Sequence, residues 1–514
     1  MRNADQRAAA APMSALMPAL VIAAMGLWAA LLVIVAFSAD RLYALALIAA
    51  TLLPVALSAV RNTRLFLLVG MVFTAILGLS INFDRRVHVG GAPSFSIDAV
   101  DFFIVPLLVF LARDLLFGYR RGLRVPAVSL WWLALAALGF VSMLAGPYRM
   151  LPLFEMVRML KCWLLFVVVV NECVRERHFQ YVLAALSAGL AMNIAIALLQ
   201  YTLERGIGLE ALGEPANDTV TGSNHGVFLS TTGVYRVSGL VGHPNLFGAY
   251  LAMLIPLFLA ALFTDHRRRV RAALAILSVV ATGVLLLTLS RTAWAAFAAA
   301  MTVLSAALLV HPALRGRYPT LKVTMLALFA VGAVVAAPLV ILRFTGSDPG
   351  ALDFRRQWVD VAFSMVQAKP IFGFGLNGFS FHIVGYTPYS TARLTEIFGP
   401  IWPVVHNLYM LVWAEQGTVG LLALVAFKLH LLWLAVKNLR YRVSERIFMV
   451  SVGTLSALVA MIVDGFGSFY LKVPAPSRIF WVIAGLIVAA AYWNRANVGL
   501  RTFDRRQTSA PPWI

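Results

Sequence analysis

Arg236 in YRVSGLVGHPN, Arg291 in TLSRTAW, Arg355 and Arg356 in FRRQW, and His406 in VVHNLYMLVWAEQG are the residues whose types and spacing suit chemistry. Arginine forks match phosphate oxygens two at a time and stay charged. A histidine titrates near its working pH and can orient or deprotonate an attacking hydroxyl. Together they could neutralise the charge on a departing diphosphate without a metal. Asn245 follows Arg236 at the mouth of the next span, and Asn407 sits beside His406. Glu415 lies roughly two and a half turns further along the same helix, where a carboxylate in an apolar span is costly unless paired. Plainer readings stand beside these. Arg291 could snorkel to the interface, Arg236 could be an ordinary loop arginine, and His406 could be structural. Glu415 could form a salt bridge with an arginine, and one of Arg355 and Arg356 should face lipid headgroups.

The elements that must hold these residues are helices in a bilayer. The chain has 514 residues, of which 61% are hydrophobic and only 12% charged, with a mean hydropathy of +0.85. A soluble domain of that length is excluded, and so is the alternation of an outer-membrane barrel. Hydropathy predicts an all-α polytopic bundle of about fourteen spans. Their limits are 19–38, 42–60, 64–81, 98–117, 126–145, 151–171, 179–202, 243–263, 270–289, 291–310, 321–342, 404–436, 447–469 and 476–493. The first apolar run, Leu20 to Phe37, is too long for a signal-peptide core and is read as retained. The corresponding organisation is an N-terminal extension (1–97), a core in two parts (98–235 and 236–343), an external loop (344–403), the last spans (404–493) and a cytoplasmic tail (494–514).

The net charge of +20 reflects orientation rather than nucleic acid. With the N-terminus in the cytoplasm, every cytoplasmic loop is basic: Arg61 to Arg64, GYRRGLR, CVRERH, DHRRRVR, Arg315 to Lys322, KNLRYRVSER, and the tail from Arg495. That is the positive-inside pattern. Arg236, Arg291, Arg355, Arg356 and His406 then fall on the opposite face, kept there against the bias. Both termini are expected in the cytoplasm.

Two long loops, at about 203–241 and 344–403, share that outer face, and long loops between tight spans are more often functional than filler. In the second, Leu352, Trp358, Val361, Ala362, Met365 and Val366 recur at near-helical spacing. They predict an amphipathic helix over 352–367, lying along the outer membrane surface. Gly373, Gly375 and Gly378 fit GxGxxG, but no βαβ unit surrounds them, and they are read as turn glycines. Gly417 and Gly420 suit close helix packing. Asp98 and Asp101 could hold a metal, or cap a helix start and be hydrated. Glu155, Arg158 and Lys161 predict an internal ion network, and Asp464 is read as interfacial. Cys162 and Cys173 are about eleven residues, or roughly 16 Å, apart on one predicted helix and cannot form a disulfide.

The stretches RVSGLVGHPNLFGAYLAMLIPL, LTLSRTAWAAF, RRQW…KPIFGFGLNGF and HNLYMLVWAEQGTVGLLAL resemble, in order and spacing, the O-antigen ligase and Wzy-type polymerase superfamily. The resemblance runs from Arg236 to Leu424. It implies a GT-C-like inner-membrane glycosyltransferase that takes a glycan from undecaprenyl diphosphate at the periplasmic face. The acceptor is another lipid-linked repeat unit for a polymerase, or lipid A-core for a ligase. It further implies no metal, and catalytic roles for Arg236, Arg291 and His406. Substrate contacts are expected, from the residues themselves, at Arg355, Arg356, Asn245, Asn407 and Glu415, and no cofactor is expected. The extra N-terminal spans favour a polymerase of O-antigen or exopolysaccharide. A secondary transporter or flippase is the alternative from another class. It would show inverted repeats and helices broken at the midplane, and the sequence carries neither signal. A scaffolding subunit of an export complex would leave the arginines and histidine unexplained.

Overall fold

The computed structural model describes residue 60, residues 62–84 and the chain from there to residue 507, except residues 85, 87, 89, 146–148, 216–234, 265–266, 313, 346–350 and 399–401. The span expected at 19–38, nearly all of that at 42–60, and the end of the tail lie outside the described residues. The chain divides into two compact units, Met1–Phe66 and Leu67–Ile514, and the candidate site belongs to the second.

Helix α1 (Thr63–Thr74) precedes a two-stranded ribbon of β1 (Ser80–Phe83) and β2 (Phe95–Asp98). Then follow α2 (Asp101–Leu116), α3 (Ser129–Ala145), α4 (Met150–Glu172), α5 (Glu176–Leu203), α6 (Pro244–Ala261), α7 (Arg268–Leu287) and α8 (Arg291–Val310). The rest comprises α9 (Pro319–Thr345), α10 (Ala351–Ala368), the short α11 (Phe379–His382) and α12 (Thr391–Phe398), then α13 (Leu408–Asn438), α14 (Glu445–Asp464) and α15 (Pro474–Gln507). Among the described residues, 7 helices are long and apolar enough to cross a membrane: α5, α6, α7, α8, α13, α14, and α15 as far as Val498. The protein is an integral membrane protein, but the expected count of about fourteen spans is not reached among the described residues. Two reasons are physical. Helix α2 has only 16 residues, short of the ~20 a bilayer asks for. Helix α4 carries Glu155, Arg158, Lys161 and Glu172, charges held by the bundle rather than by water.

Helix α6 is the centre. Every one of its residues except Asn245 is buried, which is why its sequence is apolar on all sides. It packs against α7, α8 and α14, while α15 packs against α3's neighbour α4 and against α13 and α14. Lipid offers no hydrophobic drive between helices, so close backbone approach must supply the contact. Ala252, Ala296, Ala300 and Ala460 form one such seam. A Cβ on Gly453 would lie 2.9 Å from Leu257 Cα, and one on Gly248 would lie 2.6 Å from Ala293 Cβ.

The ribbon is the departure from an all-helical chain. It pairs antiparallel, with Ser80 opposite Asp98 and Phe83 opposite Phe95. It straddles residue 97, where the N-terminal extension was expected to end. Lys161 of α4 donates to Ser96 O at 3.0 Å, and Arg478 of α15 pairs with Asp98 at 2.5 Å, so the ribbon is fastened to the core.

Helix α13 is not continuous. At Gly417 the backbone takes φ 65° and ψ −169°, and the segment Pro370–Gly375 fills the break. Phe374 N donates to Ala414 O at 3.0 Å, Gly375 N to Glu415 O at 2.7 Å, and Thr418 N to Pro370 O at 2.8 Å. Helix packing is the expectation for Gly417 and Gly420; Gly417 is instead the break. A Cβ there would lie 2.1 Å from Ile371 O, and one on Gly373 would lie 2.5 Å from the Glu415 carbonyl carbon. The GxGxxG glycines thus permit backbone-to-backbone contact. A transporter-like broken helix is present after all, but its exposed backbone groups are taken up by the chain itself.

Gly417→Ala combines a left-handed φ with a steric clash, and should lower stability by roughly 1–3 kcal/mol. A thermal melt in detergent measures this. An unchanged midpoint would mean that the Pro370–Gly375 segment does not depend on the break.

Candidate functional site

Arg236 is buried just before α6. Its Nε donates to Thr288 O at 2.9 Å, and its Nη2 donates to Asn245 Oδ1 at 2.6 Å. The turn between them is preorganised: His243 caps α6, its Nδ1 accepting from Asn245 N at 3.1 Å, with Pro244 at the first helical position. Thr288 ends α7, and two residues later Ser290 caps α8. Arg291 therefore opens α8 at its N-terminus, where the helix dipole favours an anion. Among the described residues no carboxylate pairs with it.

His406 and Asn407 stand at the start of α13. Asn407 is its cap, Oδ1 accepting from Tyr409 N and Met410 N, each at 3.0 Å. The His406 Nδ1 lies 3.1 Å from Val404 O. A carbonyl can only accept, so Nδ1 carries the proton and Nε2 is the basic nitrogen. Burial, reinforced by the Arg355 charge and opposed by the Val404 bond, pulls the imidazole from 6.5 down to about 4. His406 is therefore neutral at physiological pH, as a base must be.

Arg355 comes from α10. The helix expected over 352–367 runs Ala351–Ala368, with Trp358, Val361, Ala362, Met365 and Val366 buried. That face packs on Phe379, Val404, Val405 and Leu411 of the protein itself, not on the membrane surface. The docking separates the two arginines. Arg356 is exposed, whereas Arg355 is half-buried and its charge acts on both His406 and Asp464.

Asp464 is the residue that sequence reasoning misjudged. Expected at the interface, it is 1% exposed. Ser468 Oγ donates to its Oδ2, its Oδ1 has no hydrogen-bond partner, and the Lys428 charge acts on it. Lys428 Nζ donates to Tyr409 OH at 2.9 Å, and Tyr409 OH donates to Ile462 O at 2.7 Å. The available signal was the rarity of an ionisable group in an apolar span; the sequence did not show that Lys428 and Arg355 would converge on it.

The turn Gly465–Phe469 joins these groups. Leu408 N donates to Gly465 O at 2.8 Å and Ser468 O at 3.0 Å, and the Phe469 ring meets His406 edge-on, centroids 5.4 Å apart. On its other side Gly467 abuts Thr292, to whose Oγ1 a Cβ would come within 2.4 Å. Thr292 follows Arg291. The turn thus lies against His406 on one side and, through Thr292, the start of α8 that carries Arg291 on the other; the Arg355 charge acts on His406 and Asp464, while Arg236 and Asn245 meet at the end of α7.

Glu415 and Asn377 belong to the supporting layer. Lys472 pairs with Glu415 at 2.7 Å and Glu155 at 3.4 Å, and Arg158 pairs with Glu155 at 2.5 Å. The partner expected for Glu415 was an arginine; it is a lysine. Asn377, φ 61°, ties three segments together. Its Nδ2 donates to Ala92 O at 2.9 Å and Leu151 O at 3.1 Å, and its Oδ1 lies 2.6 Å from His88 Nε2. Asp98 and Asp101 are both paired by Lys161, Asp98 buried and Asp101 partly exposed.

Two outcomes follow from this geometry. Lys472→Met strands the buried Glu415 carboxylate, Glu155 keeping Arg158, and should cost roughly 3–5 kcal/mol, read as a lowered unfolding midpoint; adding Glu415→Gln should restore part of it. For His406 the folded value lies below 6.5, so the unfolded chain binds its proton first as pH falls. The His406 contribution to stability should therefore decline from about pH 6.5 towards pH 4. His406→Gln should flatten that part of the stability–pH curve.

The family described as O-antigen ligase matches residues 276–425, a segment that includes Arg291, Arg355, Arg356, His406, Asn407 and Glu415 and begins after Arg236. No curated protein matches the chain significantly. A solved chain described under "Structural coordination of polymerization and crosslinking by a peptidoglycan synthase complex" is similar with a TM-score of 0.37 and 18% identity, covering 72% of this chain and 97% of that one. The matched segment, with the basic residues it spans, is similar to the O-antigen ligase family.

Proposed function

We propose that the protein moves a glycan from undecaprenyl diphosphate to an acceptor hydroxyl at the periplasmic face of the inner membrane. The observation that supports the reading is the Gly465–Phe469 turn, which lies against His406 on one side and the Arg291 end of α8 on the other, with the Arg355 charge acting on His406 and Arg236 held at the end of α7. In this reading the acceptor hydroxyl attacks the anomeric carbon and the bond from that carbon to the diphosphate oxygen breaks. The hydroxyl proton passes to His406 Nε2. The diphosphate leaves with its new charge held by Arg291 and Arg236, while Arg355 keeps His406 neutral beforehand. Asn245 aims the Arg236 fork, Asn407 fixes the start of α13, Arg356 meets headgroups or glycan outside, and Glu415 acts by positioning through Lys472. Fixed cations would make a metal unnecessary.

The acceptor is read as a second lipid-linked repeat unit, making the enzyme a polymerase of O-antigen or exopolysaccharide. The support is the N-terminal segment that precedes the matched region. A second reading, ligation to lipid A-core, is favoured by the description of the matched family.

Purified protein, undecaprenyl-diphosphate-linked oligosaccharide and EDTA test both. A ladder without further acceptor means a polymerase; product only after adding lipid A-core means a ligase; silence from folded protein in both contradicts glycosyl transfer. His406→Ala and Arg291→Ala should each lower product by at least about 10²-fold while inserting normally, and near-normal product from both would overturn the assignment. The acid limb of kcat/KM should lie near 4 rather than 6.5, since that profile reports the free enzyme.

A further inference from the structure

Arg236 lies in a stretch with no regular structure to pair its backbone. From Arg236 to His243 the chain is neither helix nor strand, yet residues 236–240 are all buried. Buried amides must find acceptors, and three of these find them on side chains of α5. Gln200 Oε1 accepts from Ser238 N at 3.3 Å and from Gly239 N at 2.9 Å. Its Nε2 donates back to Gly239 O at 3.2 Å. Asn193, about two turns earlier on the same helix, accepts from Leu240 N through Oδ1 at 3.0 Å. Both amide side chains are fully buried.

The Gln200 amide cannot turn over. Its Nε2 also donates to Glu214 Oε1 at 2.7 Å, and an ionised carboxylate can only accept. Glu214 is itself held in place, accepting from Ile207 N at 2.9 Å and Leu209 N at 2.7 Å. The carboxylate therefore dictates that Oε1 faces the Arg236 segment. Gly239 completes the fit: its φ is 54°, and a Cβ there would lie 2.9 Å from Asn193 Oδ1. From this anchored turn Arg236 reaches Thr288 O and Asn245 Oδ1.

We propose that Gln200, together with Asn193, is a positioning residue for Arg236, setting where its guanidinium meets the lipid diphosphate. This rests on the diphosphate reading above and extends it to α5, a helix on which the sequence marks no candidate. Without the Gln200 amide, the Ser238 and Gly239 amides lose their acceptor. The segment must then shift to satisfy them, and the guanidinium shifts with it.

Undecaprenyl diphosphate is titrated into the full-length protein in detergent, into Gln200→Met, Asn193→Leu and Arg236→Ala, and into each of the first two combined with Arg236→Ala. Asn438→Leu serves as a control for destabilisation alone, because it removes a buried bond to Ile487 O on α15. Thermal melts establish which variants are folded. Gln200→Met or Asn193→Leu, whichever is folded, should weaken binding about tenfold. In the Arg236→Ala background the same substitution should add no further loss, since residues that act as one unit are not additive. Asn438→Leu should lower the melting midpoint and keep the affinity. Wild-type affinity in the folded variants would overturn the proposal. So would a full second tenfold loss on top of Arg236→Ala, or an equal loss in Asn438→Leu. Those three results leave the diphosphate reading standing, provided that Arg236→Ala weakens binding. Wild-type affinity in Arg236→Ala itself would sink that reading and this inference together.

Discussion

Backbone polar groups in a bilayer must be paired, and the break in α13 is where this protein meets that constraint in an unusual way. Opening a helix at Gly417 exposes carbonyl and amide groups, each costing several kcal/mol if left alone in hydrocarbon. The segment Pro370–Gly375 supplies their partners from outside the helix. The consequence is positional. The short helical piece from Leu408 to Gln416 is held by the external loop instead of by the rest of α13. His406, at its start, is thereby fixed relative to α10, which carries Arg355, and to the Gly465–Phe469 turn.

Charge follows the same logic. The inner network of Glu155, Arg158, Glu415 and Lys472 is closed, each ion facing its opposite at 2.5 to 3.4 Å. Such networks add little net stability but are destructive to break, and this one joins α4, α13 and the turn before α15. The outer cluster is different in kind. The Arg355 charge acts on Asp464, which keeps one oxygen without a hydrogen-bond partner, and Arg291 has no carboxylate partner among the described residues. A closed network holds the scaffold; in the proposed reading the outer group receives the anion.

Much of this was legible in the residues. Arg236, Arg291 and His406 stood out because positive charge on the outer face runs against the orientation bias. The α10 helix was readable from the spacing of Trp358, Val361, Ala362, Met365 and Val366. What was not legible depends on tertiary partners. Gly417 reads like any packing glycine, because only the approach of Ile371 shows it to be a break. Asp464 reads as interfacial because Lys428 and Arg355 come from two other stretches of chain. The β1–β2 ribbon was missed because strands of four residues carry too little alternation to see. The expected span count is not reached among the described residues, in part at α2 and α4, where shortness and paired charge depart from simple hydropathy.

In the proposed mechanism Arg236 and Arg291 hold the diphosphate of a lipid. The most direct measurement is undecaprenyl diphosphate titrated into wild type, Arg236→Ala, Arg291→Ala and the exposed control Arg356→Ala, each verified as folded. The account predicts that the first two variants each weaken binding by about 10–100-fold, the loss of a charge-assisted contact of ~1.5–3 kcal/mol, with the control near wild type. Affinities equal across all four proteins would contradict it.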